Sequence, residues 1–392
     1  MRCKLGDISE ITKLAGYEFT KYIKYIPDGE IIAVRALNLK NGALVLDDIQ
    51  RISKEVSETL PRSQLHKNDI VLSYTGTLGE CAQIREDGKY HLAPNVCKIT
   101  PNDSVVNPNF LFQYIRCEKF KQTLINYAHG STQPTIPMST IRDIPVDIPD
   151  DLEKQGKIAA ILSILDEKIA INRAINDNLE QQAQAIFRQE LLQNGELPPN
   201  WTTGSLLDIA DYLNGLAMQK FRPVDGERGL PVLKIKELRQ GFCDYSSELC
   251  SPNIKPEFIV HDGDVIFSWS GSLLVDLWCG GTCGLNQHLF KVTSVKYPKW
   301  FYYTWTAHHL ARFVAIAADK ATTMGHIKRE DLAKAEVIIP DVASMERIGG
   351  VLQPIYDLVI NQRIENRKLS MLRDSLLPKL MSGELDVSAV EL

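Results

Sequence analysis

The chain states one ordered set of signals twice, and no other feature restricts its fold so strongly. Asp7-Ile8 returns as Asp208-Ile209, and Asn68-Asp69-Ile70-Val71-Leu72-Ser73 returns as Gly263-Asp264-Val265-Ile266-Phe267-Ser268. Gly76-Thr77-Leu78 is answered by Gly271-Ser272-Leu273, and Pro108-Asn109-Phe110-Leu111 by Pro298-Lys299-Trp300-Phe301. Val146-Asp147-Ile148-Pro149 matches Val337-Ile338-Ile339-Pro340, and Lys157-Ile158-Ala159-Ala160-Ile161-Leu162 matches Arg347-Ile348-Gly349-Gly350-Val351-Leu352. A solenoid repeats every 20 to 50 residues or so, so a unit of half the chain is a fused pseudo-dimer instead. Two such copies are expected to obey an approximate two-fold axis, as subunits of a dimer do. Duplex DNA is the commonest partner with a matching symmetry, because half-sites mirror the symmetry of dimeric readers. Duplication for stability alone is the alternative.

Each copy ends in a long helix. From Leu152 to about Leu192 there is no proline and one early glycine, Gly156, in a stretch rich in strong helix formers. The positions Leu162, Leu165, Ile169, Asn172, Asn176, Leu179, Ala183 and Ile186 follow the three-four spacing of a coiled-coil seam. Leu352, Ile355, Val359, Gln362, Asn366, Leu369, Arg373, Leu376 and Leu380 repeat it, on a segment that Pro354 and Pro378 are expected to interrupt. Asn172 and Asn176 correspond to Gln362 and Asn366, and matched polar positions on a seam fix register and partner choice at a cost in stability. The two helices are therefore expected to pack on each other, antiparallel, as a rod of roughly 55 to 60 Å that spaces the two copies. The alternative packs each helix on its own domain. The boundaries read as 1–150 and 195–341 for the globular domains, 151–194 and 342–383 for the helices, and 384–392 for a tail.

Inside each domain short β-like runs feed polar, glycine-containing loops. These are Ser73-Tyr74-Thr75-Gly76-Thr77-Leu78-Gly79 and Ser268-Trp269-Ser270-Gly271-Ser272-Leu273. Hydroxyls and aromatics on such loops suit phosphate and base contacts. In the first domain the candidates are Tyr74, Thr75, Thr77, Thr132 and Gln133; glutamine pairs bidentately with adenine, and threonine meets a base edge or a thymine methyl. In the second they are Trp269, Ser270, Ser272, Lys320, Thr322, Thr323, His326 and Lys328, with Lys320 and Lys328 assigned to phosphates. Exposed helix charges such as Arg188 and Arg367 read as solvated.

Composition bounds the rest. The chain has 392 residues, 44% hydrophobic and 24% charged, which is ordinary for a soluble globular protein of two to three domains. No apolar run reaches the roughly 18 residues of a membrane span, and the amino terminus lacks an apolar signal core, so the expected location is cytoplasmic. The net charge of −5 argues against a simple nucleic-acid binder, but phosphate contact acts locally and a partner can share it. Cys243, Cys250, Cys279 and Cys283 with His288 could supply zinc ligands, yet the first copy has no equivalent. Asn107-Pro108-Asn109-Phe110 approaches the motif that orients adenine in methyltransferases. It lacks the second proline and a preceding glycine-rich cofactor loop, and reads as a helix start. Pro149-Asp150-Asp151-Leu152 reads as a helix N-terminus rather than a nuclease metal motif. There is no phosphate-binding loop ending in Gly-Lys-Ser/Thr. His308, His309 and His326 lack a neighbouring nucleophile pattern.

On these residues the chain resembles the specificity subunit of type I restriction-modification systems. The match extends over essentially the whole sequence. Its most specific parts are the Gly263–Ser268 run with its Ser270-Gly271-Ser272 loop, the helix start over 341–352, and the tail Leu376-Leu377-Pro378-Lys379-Leu380-Met381-Ser382-Gly383-Glu384-Leu385. The resemblance implies an α+β fold with two target-recognition domains in pseudo-two-fold arrangement and two long helices in an antiparallel coiled coil. It implies a non-catalytic subunit that reads a bipartite site in double-stranded DNA, one half per domain. The partners implied are two adenine methyltransferase subunits and two nuclease/translocase subunits. S-adenosylmethionine, ATP and magnesium would belong to those partners, with no cofactor or metal on this chain. The rival reading is a self-contained DNA methyltransferase or nuclease with divergent motifs.

Overall fold

A computed structural model describes residues 1–130, 133–192, 196–319 and 326–387. Its contacts group into two units, Met1–Glu167 with Ser370–Leu392, and Lys168–Leu369.

The first unit is built on an antiparallel sheet in the order Ser9–Lys13, Val96–Pro101, Ile70–Ser73, Cys81–Gln83. A second sheet has the order Gln50–Ile52, Ile31–Val34, Tyr90–Leu92, Gln64–Leu65, and its central pair runs parallel. Ile31–Val34 is buried along its whole length, the continuous apolar pattern expected of a parallel strand covered on both faces. Arg2–Lys4 closes the unit by pairing with Pro145–Asp147.

The second unit repeats this wiring strand for strand. Asp211–Asn214, Leu289–Thr293, Val265–Ser268 and Leu274–Leu277 form the antiparallel sheet. Leu249–Cys250, Leu230–Leu233, Cys283–Leu285 and Ile259–Val260 form the mixed one, again with a parallel central pair. Thr202–Ser205 pairs with Glu336–Ile339. Even a buried polar device recurs: Lys98 donates to the Gln64 carbonyl at 2.9 Å with Asp69 4.0 Å away, and Lys291 donates to the Ile259 carbonyl at 2.9 Å with Asp264 at 2.8 Å. Buried lysines are tolerated only when paired in this way, so each ion pair pins the same strand to the same turn.

The long helices span Leu152–Leu191 and Val342–Ser382. Pro354 and Pro378 do not interrupt the second one, contrary to the expectation from proline's missing N–H and its clash with the carbonyl four residues back. At Pro354 that residue is Gly350, which carries no side chain and beside which a Cβ would meet nothing within 4 Å. Within the first unit Ile158 and Leu162 share a core with Leu377 and Leu380. Within the second, Asn172 donates to Asn366 at 2.9 Å and to Glu365 at 2.6 Å, Glu180 meets Arg363 at 2.7 Å, and Glu190 meets Arg347 at 2.7 Å. As one helix number rises the other falls, so the helices pair antiparallel in each unit, and the polar seam positions Asn172 and Asn366 meet.

Carboxylates fasten each sheet unit to its helices. Asp166 receives Gln113 at 2.6 Å, Arg116 at 2.5 Å and Arg373 at 3.0 Å. Arg363 bridges Asp276 and Glu180 at 2.7 Å each. Burial lifts the Glu180 carboxyl above its ordinary range against the pull of Arg363. Arg367, read from sequence as solvated, instead donates to both oxygens of Asp262 at 2.7 and 2.8 Å and to the Cys279 carbonyl at 2.6 Å. Burial opposes ionisation of Asp262, but the bonds from Arg367 and the Gly281 N–H outweigh it and hold the carboxyl below its usual range.

Candidate nucleic-acid interface

The two polar loops are built on one plan. Ser73 ends a strand and its hydroxyl donates to the carbonyl of Thr77; Ser268 ends the matching strand and donates to the carbonyl of Ser272 at 3.0 Å. Three residues after each serine stands a glycine in the left-handed region, Gly76 at φ 79° and Gly271 at φ 65°, where a side chain would be strained. A second segment closes against each loop: the Ile136 N–H donates to the Tyr74 carbonyl and the Ile327 N–H to the Trp269 carbonyl, both at 3.0 Å. A third wall comes from the turn before the central strand, where the Tyr74 N–H meets the Asn95 carbonyl at 3.2 Å and the Trp269 N–H meets the His288 carbonyl at 3.4 Å. Three backbone segments distant in sequence thus converge on one aromatic in each copy.

The side chains differ where the backbones agree. In the first domain Thr75 and Thr135 share a hydroxyl hydrogen bond of 2.9 Å, Thr77 and Gln133 are exposed, and the Lys13 ammonium lies 5.4 Å from the centre of the Tyr74 ring. Burial raises the Tyr74 phenol above its ordinary value, which leaves it a neutral donor. Gly76, Leu78, Ile125, Ala128, Gly130 and Pro134 line a recess of about 390 Å³ beside this loop. In the second domain the Trp269 indole donates to Asn214 at 3.0 Å, stacks on Phe290 with centroids 5.6 Å apart, and has the His326 ring at 5.4 Å. Ser272 accepts from the Arg239 guanidinium. His326 and Lys328 are exposed, and the Lys328 N–H is capped by Asp331 at 2.9 Å.

Ser270 corrects the sequence reading. It is 1% exposed and its hydroxyl lies 3.0 Å from His288 Nδ1, so it holds the histidine instead of meeting a ligand. Thr132, Lys320, Thr322 and Thr323 lie outside the described residues. Lys13, Asn214, His288 and Arg239, which the sequence pattern does not place at these loops, contact residues of them. Lys13 and Asn214 each end the first strand of their sheet, a shared position that comparing the two copies at their strand ends would have exposed.

The catalytic look-alikes have other employment. Asn107 accepts from the N–H groups of Asn109 and Phe110 at 3.0 and 3.1 Å and caps a helix over Pro108–Arg116, whose Phe110 is fully buried. Asp151 accepts from the Glu153 N–H at 2.8 Å, capping the first long helix. Cys243 and Cys283 share one core cluster, Cys250 sits in another and Cys279 in a third, so the tetrad suggested by spacing is not assembled. Among the described residues no helix is long and apolar enough to cross a membrane.

A family model described as the type I restriction modification DNA specificity domain matches residues 1–181. The type I restriction enzyme MjaIX specificity subunit of Methanocaldococcus jannaschii is 27% identical over 322 residues, 74% of this chain and 71% of the relative. The EcoKI specificity subunit of Escherichia coli K12 is 24% identical over 426 residues, 97% of this chain and 89% of its own length. In fold, the type I restriction-modification S subunit from M. genitalium superposes with a TM-score of 0.53 at 13% identity, covering 97% of this chain and 96% of that one. Doubled wiring, paired strand-end loops and these relatives converge: residues 1–181 match the type I restriction modification DNA specificity domain, and the chain is similar over most of its length to type I specificity subunits.

Proposed function

We propose that this chain chooses where partner enzymes act on DNA, reading a bipartite site in the duplex with one domain per half-site. The observation that carries the reading is the twin loop: one backbone scaffold is kept in both copies while the side chains on it change from Tyr74, Thr75 and Thr77 to Trp269, Ser272 and His326. A scaffold kept constant under variable polar tips is what two readers of different sequences require, since base edges are distinguished by donor and acceptor pattern. Gln133 and Lys328 extend the same surfaces in this proposal, and Thr132, Lys320, Thr322 and Thr323 are assigned the same role from the sequence alone. The helices act as the spacer between readers.

The chemistry belongs to partners: two adenine methyltransferase subunits carrying S-adenosylmethionine and two nuclease/translocase subunits using ATP and magnesium. A recess of about 790 Å³ along the first long helix, floored by Gly156, Ala159, Ala160 and Ser163, is a suitable seat for a methyltransferase element. The test is methyl transfer from S-adenosylmethionine to DNA. The purified chain alone is expected to be inactive and the chain co-expressed with its methyltransferase subunit active at one bipartite sequence. Transfer by the chain alone would contradict the adaptor role.

A further inference from the structure

We propose that the segment Lys13–Tyr25 of the first domain is a phosphate-binding ridge that follows the backbone of the DNA whose bases meet the adjoining Tyr74 loop; this rests on the DNA-reading function proposed above. Lys13 ends its strand with its ammonium over Tyr74. The chain then passes through buried Leu14 into a helix over Gly16–Tyr22. Tyr17 on that helix is 69% exposed, and Tyr22 and Tyr25 also face solvent. Lys13, Lys21 and Lys24 are exposed, and none has a carboxylate partner among the described residues.

The helix's one acid is used up internally. Glu18 is 8% exposed, accepts from the Ala15 N–H at 3.1 Å and from Tyr17 at 3.3 Å, and is paired with Arg62 at 3.0 Å. What remains on the surface is cationic and aromatic, in a chain whose net charge is −5. In the second domain three cations beyond the matching strand are ion-paired: Arg222 and Lys234 both meet Glu248, at 3.2 and 2.5 Å, and Lys236 meets Asp244 at 3.3 Å. Open lysines interleaved with tyrosine hydroxyls, contiguous with a base-reading loop, suit phosphate oxygens, which accept from both groups.

The experiment uses the full chain in complex with its methyltransferase subunit and a duplex carrying the site mapped by methylation. Binding is followed by fluorescence anisotropy across a salt series. Replacing Lys21→Gln and Lys24→Gln together should lower the slope of log affinity against log salt by about two, at roughly 0.9 per phosphate contact. The preference for cognate over mismatched half-sites should stay unchanged. Lys21→Arg with Lys24→Arg should retain the wild-type slope, which separates lost charge from a damaged fold. An unchanged slope in the glutamine variant overturns the proposal and leaves the DNA-reading function standing. So does a changed base preference, or a loss of methyltransferase association, at constant slope. Failure of the wild-type complex to bind any duplex would sink the function and the ridge together.

Discussion

Trp269 concentrates the chemistry of the second proposed recognition surface. It is held by Asn214, stacked on Phe290 and bordered by His288 and His326. A rigid aromatic with a fixed polar edge is the kind of residue that dominates an interface. Trp269→Ala in the methyltransferase complex should weaken binding to the cognate duplex by about 2 kcal/mol or more, roughly 30-fold. Substitutions in the first half-site should still be discriminated as before. Equal loss of discrimination at both half-sites would instead indicate a general folding defect. The loop carrying Trp269 was legible in the sequence because a strand-like run stops at serine and a left-handed glycine follows. Asn214 and His288 were not, because strand order, not sequence distance, brings them alongside. Ser270 misled for a related reason: its alternation within the loop turns it inward onto His288.

The long helices show how far periodicity carries. The three-four spacing located the seam, and the structure brings Asn172 and Asn366 together as the matched polar positions required. The spacing could not place Arg363 and Arg367, whose partners are Asp276 on the strand Leu274–Leu277 and Asp262 in a turn of the sheet unit. Nor does it foresee a helix continuous through Pro354. The buried pair has a cost that a double-mutant cycle can measure. Asn172→Leu alone leaves polar groups of Glu365 and Asn366 without their partner, and should destabilise by about 1 to 3 kcal/mol. Adding Asn366→Leu should recover most of that loss, because apolar replacement of a whole buried pair is close to neutral or stabilising. Thermal unfolding of the two variants checks this; a double variant no more stable than the single one would show that the amides do not act as a seam pair.

At the scale of the whole molecule, doubling is the device. Each unit has the same sheet orders, the same parallel central pair, the same buried lysine–aspartate lock and the same three-walled loop. Such repetition makes each domain a self-contained frame for its own tip residues, so the account's central claim is that the two half-sites are read independently. The direct measurement is to exchange residues 1–150 for those of a related specificity subunit, co-express the hybrid with the methyltransferase subunit, and map methylated adenines across the genome. One half of the recognised sequence should change and the other should persist, because base contacts come from loops within a single copy. Simultaneous change of both halves in a folded, active hybrid would contradict it.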